Sequence, residues 1–258
     1  MFPILQIGPL AIQVPGLLLL GSLWLGLSLA EKNAKNHNID SNHLNNLILI
    51  TLISGIVGAR IIYVLRYPGV FGANPLSLIS LNPGLLDPVG GAAVGIVSAL
   101  VYGQRKHMPL FRTLDALVPL FAVVYIGFAL ANTASGNGFG IVTDIQWGIE
   151  IWGAKRHPVQ IYIAITGMVT LLLFWPSRGP LGNISTAGVT FFTFTGITAF
   201  SKVILDAFLA SGQVSVYGVR DGQLIAWVML ATTLAAIGWM QHNKRISNPR
   251  TITDDVAE

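Results

Sequence analysis

The chain has 258 residues, 53% of them hydrophobic and only 10% charged, with a mean hydropathy of +0.66. This is too apolar and too poor in charge for a water-soluble domain of such size, so lipid is the solvent that the fold must satisfy. The net charge of +4 lies in short basic clusters between apolar runs, which argues for membrane topology and against nucleic acid, and the absence of cysteine excludes disulfides, thiolate metal sites and a cysteine nucleophile.

A spanning helix needs roughly 20 mostly apolar residues, because each residue rises about 1.5 Å through a hydrocarbon core about 30 Å thick. Seven such runs follow in chain order, at 10–29, 46–67, 89–104, 114–132, 160–175, 186–209 and 222–240. They predict an all-α, polytopic transmembrane helical bundle of about seven helices, with a single transmembrane domain over 1–241 and a polar cytoplasmic tail over 242–258. The third and fifth runs are short, which predicts tilt or partial insertion. The first has no Lys or Arg before it and no small-residue cleavage site, so a retained helix is expected rather than a removed signal peptide.

With the amino terminus outside and the carboxyl terminus cytoplasmic, the inner segments carry Lys32, Lys35, Arg105, Lys106, Arg112, Arg178, Lys244, Arg245 and Arg250. The outer ones carry only Arg66, Lys155, Arg156 and Arg220. Trp147 and Trp152 then fall near the outer interface and Trp175 and Trp239 near the inner one, where half-apolar indoles are expected. The outer segment 68–88 (PGVFGANPLSLISLNPGLLDP) has no basic residue and is punctuated by Pro and Gly. It reads either as an interfacial arm that shapes lateral access for a lipid or as an ordinary amphipathic connection.

Ionisable side chains within a membrane are costly and need a reason. Arg60, Lys202 and Asp206 stand out, all toward the outer half. Lys202 and Asp206 are spaced i, i+4, so they share a helix face and either neutralise each other or serve a ligand. Arg60 has no local acidic partner and must find Asp206, backbone carbonyls, the headgroup layer or an anionic ligand, and a guanidinium suits a phosphodiester. Also on the outer side are Asn132, Ser135 and Asn137, the loop SGNGFG (135–140) with Gly136 and Gly140, and then His157, Gln160 and Tyr162. The glycines either expose N–H groups to an anion or simply make a turn, and His157, just before Pro158, either caps a helix or moves a proton. Gly91 and Gly95 form a small-xxx-small pair that predicts close helix packing. The histidines are scattered and no HExxH, phosphate-loop or dinucleotide pattern occurs, so neither a metal nor a cofactor is expected. The residues point to an outward-facing site for a lipid or an anionic solute, and a transporter is disfavoured because they do not mark a path through the midplane.

Several ordered segments carry a family resemblance: GPLAIQVPGL (8–17), GARIIYVLRY (58–67), ANTASGNGFGIVTDIQWG (131–148), HPVQIY (157–162), SKVILD (201–206) and GVRDGQ (218–223). Together they resemble the bacterial prolipoprotein diacylglyceryl transferases, seven-helix enzymes of the cytoplasmic (inner) membrane. The resemblance implies a multi-pass enzyme that transfers diacylglyceryl from the membrane lipid phosphatidylglycerol to the lipobox cysteine in the signal peptide of a preprolipoprotein, forming a thioether and releasing glycerol phosphate. With the polar residues above, this makes His157 and Lys202 the expected catalytic residues and Arg60, Asn132, Gly136, Gly140, Gln160, Tyr162 and Asp206 the expected substrate-binding ones. The chain departs from the family pattern where Ala129 stands for an arginine, Asn137 for an acidic residue, Ser135 for an asparagine, Val89 or Gly90 for a histidine, and Ile163 for a glutamate. Lys202 and Asp206 replace an arginine and a glutamate. These substitutions leave a second expectation open, a non-catalytic relative that binds phospholipid or lipoprotein.

Overall fold

The computed structural model describes residues 4–7, 10–73, 83–176, 178–182, 186–210 and 220–247. Among them are seven helices of 15 residues or more. Five are long and apolar enough to cross a membrane, so the chain is a multi-pass, all-α membrane protein. The chain divides into two compact units, residues 1–36 with 114–258, and residues 37–113.

The first unit begins with a hairpin of β1 (Ile4–Ile7) and β2 (Leu10–Gln13), followed by α1 (Val14–Asn36). The first apolar run therefore starts its helix at residue 14 rather than 10, because residues 10–13 pair with β1 instead, and Pro15 lies in the first turn where its missing N–H costs nothing. Next come α5 (Leu110–Ser135), whose first four residues belong to the other unit, a hairpin of β3 (Ile149–Ile151) and β4 (Ala154–Arg156), and α6 (Val159–Leu173). The unit closes with α7 (Val189–Leu205), extended by a 3-10 turn at Asp206–Phe208, and α8 (Asp221–Ser247). Residues 242–247 of the expected tail are thus the last turns of α8, and the rest of that tail lies outside the described residues.

The central helix of this unit is α5: 61% of its most apolar window is buried, against 17–22% for the other long apolar helices, whose large exposed side chains are suited to lipid. Val118, Ala122, Val123 and Ile126 line one face of α5 and pack with Leu171, Phe174 and Phe194. Small residues set the approach of its neighbours. A methyl at Gly127 would collide with Ser22 of α1, and one at Gly167 of α6 would lie 2.7 Å from Ile126.

An acidic residue is buried close to this core. Asp115, fully buried, accepts hydrogen bonds from the backbone N–H groups of Gly188 at 2.6 Å and Phe191 at 2.8 Å, so its carboxylate caps the start of α7 across 73 residues of sequence. Negative charge is favourable at a helix N-terminus, where the first N–H groups have no intrahelical acceptor. Asn33 of α1 donates to the carbonyls of Asp115 and Ala116, tying a third helix to the same point.

The second unit is built on α2 (Ser41–Arg66) packed against α4 (Pro88–Arg105), with a short α3 (Pro68–Ala73) and a 3-10 turn at Pro83–Leu85 between them. Residues 74–82 of the expected arm lie outside the described residues. Both long helices start on an aspartate: Asp40 accepts from the Asn42 N–H, and Asp87 accepts from Gly90 while pairing with Arg66. Gly91 and Gly95 face α2 as their spacing predicts. A methyl at Gly91 would lie 2.7 Å from the Ala59 side chain and 2.8 Å from the Gly55 carbonyl oxygen, and the backbone cannot retreat. Gly91→Ala is expected to destabilise the pair by roughly 1–3 kcal/mol, read as a lower melting temperature in detergent.

His37 lies in the connection between α1 and α2. Burial, with the Arg112 cation second, holds its pKa below the ordinary 6.5. The unfolded chain therefore takes up this proton first on acidification. The stability difference between the native protein and His37→Gln is expected to be flat above pH 6.5 and to shift against the native protein as pH falls below it, measured by thermal unfolding across pH.

Candidate functional site

Eight of the nine residues expected to be catalytic or substrate-binding belong to the first unit. Helix α5 ends in a turn that explains the SGNG sequence. Gly136 has φ +74, the left-handed conformation glycine adopts most easily, and the Asn137 N–H reaches back to the Asn132 carbonyl at 3.0 Å, closing the last turn. Gln160, at the start of α6 and 2% exposed, donates from Nε2 to the Asn137 carbonyl at 2.7 Å. Its Oε1 is buried with no partner among the described residues, so an acceptor there awaits a donor.

The chain after this turn forms a small three-part ladder. Gly140 donates to the His157 carbonyl, and the His157 N–H donates to Ile141, both at 3.1 Å. On the other side Ile141 donates to the Phe208 carbonyl at 2.8 Å and Ala210 to Phe139 at 2.9 Å. Segment 139–141 therefore joins the residues before α6 to the turn that ends α7. Gly140 is required because a Cβ would strike the His157 carbonyl and come within 3.0 Å of the Phe208 oxygen. The Gly140 N–H is thus occupied within the protein. Arg156 braces the ladder, donating to the Ile151 and Gly140 carbonyls with its guanidinium 4.9 Å from the Phe139 ring centroid. The β3–β4 turn places Trp152 and Gly153 at φ +56 and +73, a two-residue hairpin turn that matches strand twist, and leaves the Trp152 ring exposed.

His157 is held by its ring as well as its main chain. Its imidazole packs on Phe208 with centroids 5.1 Å apart, and Nδ1 is 3.4 Å from the Tyr162 hydroxyl. The same hydroxyl accepts from the Trp147 indole N–H at 2.9 Å. An indole only donates, so one lone pair of the Tyr162 oxygen is committed to it.

At the end of α7, Lys202 contacts both carboxylate oxygens of Asp206, at 3.0 and 2.8 Å. The Asp206 side chain is 5% exposed and that of Lys202 46%, so the pair opens on one side. Gly222 allows α8 to approach, since a methyl there would lie 2.8 Å from Oδ2. Sequence reasoning placed Arg220 among the outer basic residues and within the GVRDGQ segment but gave it no role of its own. Its guanidinium donates to the main-chain carbonyls of Asp206 and Ala207. Trp147 and Phe208, which fix Tyr162 and His157, were also missed as site residues. The pairing of Lys202 with Asp206 is the mutual neutralisation that their i, i+4 spacing allows. Arg60 belongs to the second unit, where it donates to the Leu85 carbonyl at 3.0 Å, one of the partners expected for it.

Comparison with known proteins fits this arrangement. A relative from Aliivibrio salmonicida, named phosphatidylglycerol-prolipoprotein diacylglyceryl transferase, is 31% identical over 249 residues, covering 92% of this chain and 87% of its own. Proteins of the same name from Synechococcus elongatus and Thermus thermophilus are 24% identical over 255 residues and 26% over 204, covering 94% and 68% of this chain and 88% and 73% of their own. A family model described as prolipoprotein diacylglyceryl transferase matches residues 3–239. The chain belongs to the prolipoprotein diacylglyceryl transferase family.

Proposed function

We propose that this protein transfers diacylglyceryl from phosphatidylglycerol to the lipobox cysteine of prolipoproteins, working at the outer face of the bacterial cytoplasmic membrane with its amino terminus outside and its carboxyl terminus inside. The observation that carries this reading is the family match, which runs through nearly the whole chain. The polar geometry supports it.

In the proposed reaction the substrate cysteine loses its thiol proton to His157, and the sulfur attacks the glyceryl carbon bonded to phosphate. The carbon–oxygen bond to phosphate breaks, a thioether forms, and glycerol phosphate leaves with the bonding electrons. A free thiol has a pKa of about 8.5, so a positioned base matters at neutral pH. Donating Nδ1–H to Tyr162 would leave the Nε2 lone pair of His157 as that base, with the ring fixed by Phe208. Lys202 would offset the charge developing on the phosphate oxygens. Gln160 Oε1 supplies an acceptor for a headgroup hydroxyl, Asn132 and the glycine turn at Gly136 and Gly140 hold Gln160 and His157 in place, and Asp206 orients Lys202. Arg60 joins the proposal on its chemistry, as a guanidinium suited to a phosphodiester.

Ala129, buried where the family pattern has an arginine, favours the alternative of a non-catalytic lipid- or lipoprotein-binding relative. Expression in a bacterium depleted of its own transferase separates the two. Restored growth with lipidated lipoproteins supports transfer, whereas well-expressed protein without rescue supports the binding role.

A further inference from the structure

Arg220 immediately precedes α8, and its guanidinium is anchored from one end. Nη1 donates to the carbonyls of Asp206 and Ala207, where the end of α7 favours a cation. The other edge, Nε with Nη2, is the side-on fork that matches two oxygens of a phosphate. Nε is buried and has no acceptor among the described residues. A charged donor withdrawn from water without an acceptor is costly, so this edge is suited to a partner that arrives.

That partner is not Asp206. Both oxygens of its carboxylate are held by Lys202, and Nε hydrogen-bonds to neither. Lys202 addresses the Asp206 side chain and Arg220 its main chain, so two cations flank one buried anion. Its Lys202 side is open. Phe208, two residues beyond Asp206, carries the His157 ring, so an anion bound here would lie at the same corner of the unit as the proposed base.

We propose that Arg220 is a phosphate-binding residue, its Nε–Nη2 edge taking two phosphate oxygens while Lys202, across Asp206, offsets the remaining charge. This deepens the transferase reading and rests on it only for the substrate. The shared chemistry is the phosphate group, whether in phosphatidylglycerol or in free glycerol phosphate.

The test uses the full chain purified in detergent. Binding of dioctanoyl phosphatidylglycerol, dioctanoylglycerol, which lacks phosphate, and glycerol 3-phosphate is compared for the native protein, Arg220→Gln and Arg220→Lys, with melting temperatures alongside. Glutamine keeps a donor for the carbonyls but loses the fork. Arg220→Gln is expected to weaken phosphatidylglycerol binding about tenfold or more, leave dioctanoylglycerol binding within about twofold, and be partly rescued by lysine. The same Arg220 dependence with glycerol 3-phosphate would make the free phosphate a sufficient ligand; dependence with the lipid alone would assign the site to the phosphodiester. Unchanged phosphatidylglycerol binding, or an equal loss for both lipids with a lower melting temperature, would overturn the proposal and leave Arg220 as a helix cap. Loss of phosphate discrimination in a protein without transferase activity would sink the transferase reading alone, and normal transfer with an unchanged KM in Arg220→Gln would sink the phosphate site alone.

Discussion

His157→Ala is expected to lower the rate of diacylglyceryl transfer by about 10²–10⁴-fold, the usual contribution of a positioned general base, while phosphatidylglycerol binding stays within about twofold. The separation is expected because the His157 main chain, which carries the ladder to Gly140 and Ile141, survives the substitution, whereas the ring against Phe208 does not. Tyr162→Phe removes the oxygen that sets the ring and is expected to cost less, about tenfold. Single-turnover transfer to a lipobox peptide, with lipid binding measured in parallel, checks both. Equal loss of binding and transfer in His157→Ala would mean that the ring shapes the site and takes no proton.

Asp115→Ala is expected to be the most destabilising substitution in the first unit. It removes the acceptor for two backbone N–H groups at the start of α7 and leaves that of Gly188 buried. Charge-assisted bonds of this kind and helix caps together place the loss at roughly 2–4 kcal/mol. Asp115→Asn is expected to recover part of it, because an amide oxygen accepts from one N–H while its NH₂ group faces the other. Thermal unfolding in detergent reads the effect directly, and a melting temperature equal to the native value in Asp115→Ala would show that α7 does not depend on this cap.

The contrast between these two residues shows what the sequence can display. Apolar runs of membrane-spanning length gave the long helices, because hydropathy is a local property and lipid enforces it. The start of α4 is one residue earlier than the apolar run at 89–104, because Asp87 caps it and Pro88 fits its first position. Asp115 sits within an apolar run and was not singled out, since its partners are more than 70 residues away and nothing near it marks a cap. The β3–β4 hairpin was missed for a different reason. Its strands are three residues each, and its turn places Trp152 at positive φ instead of the usual Asn or Gly. Among the candidate site residues, His157, Gln160 and Tyr162 stand out in the sequence because they lie close together in it, and the structure brings the His157 ring to the Tyr162 hydroxyl. The anchoring of Arg220 rests on acceptors 13 and 14 residues earlier, and that relation exists only once α7 and α8 are packed.

In the proposed reaction this protein forms a thioether between a lipobox cysteine and a diacylglyceryl group. Purified protein in nanodiscs containing phosphatidylglycerol, incubated with a lipobox peptide and followed by mass spectrometry, tests it most directly. The expected result is a mass gain of one diacylglyceryl group on the cysteine, with glycerol phosphate released in equal amount and both lost in His157→Ala. An unmodified peptide, beside a family enzyme active under the same conditions, would contradict the transferase reading and make the protein a lipid- or lipoprotein-binding member of its family.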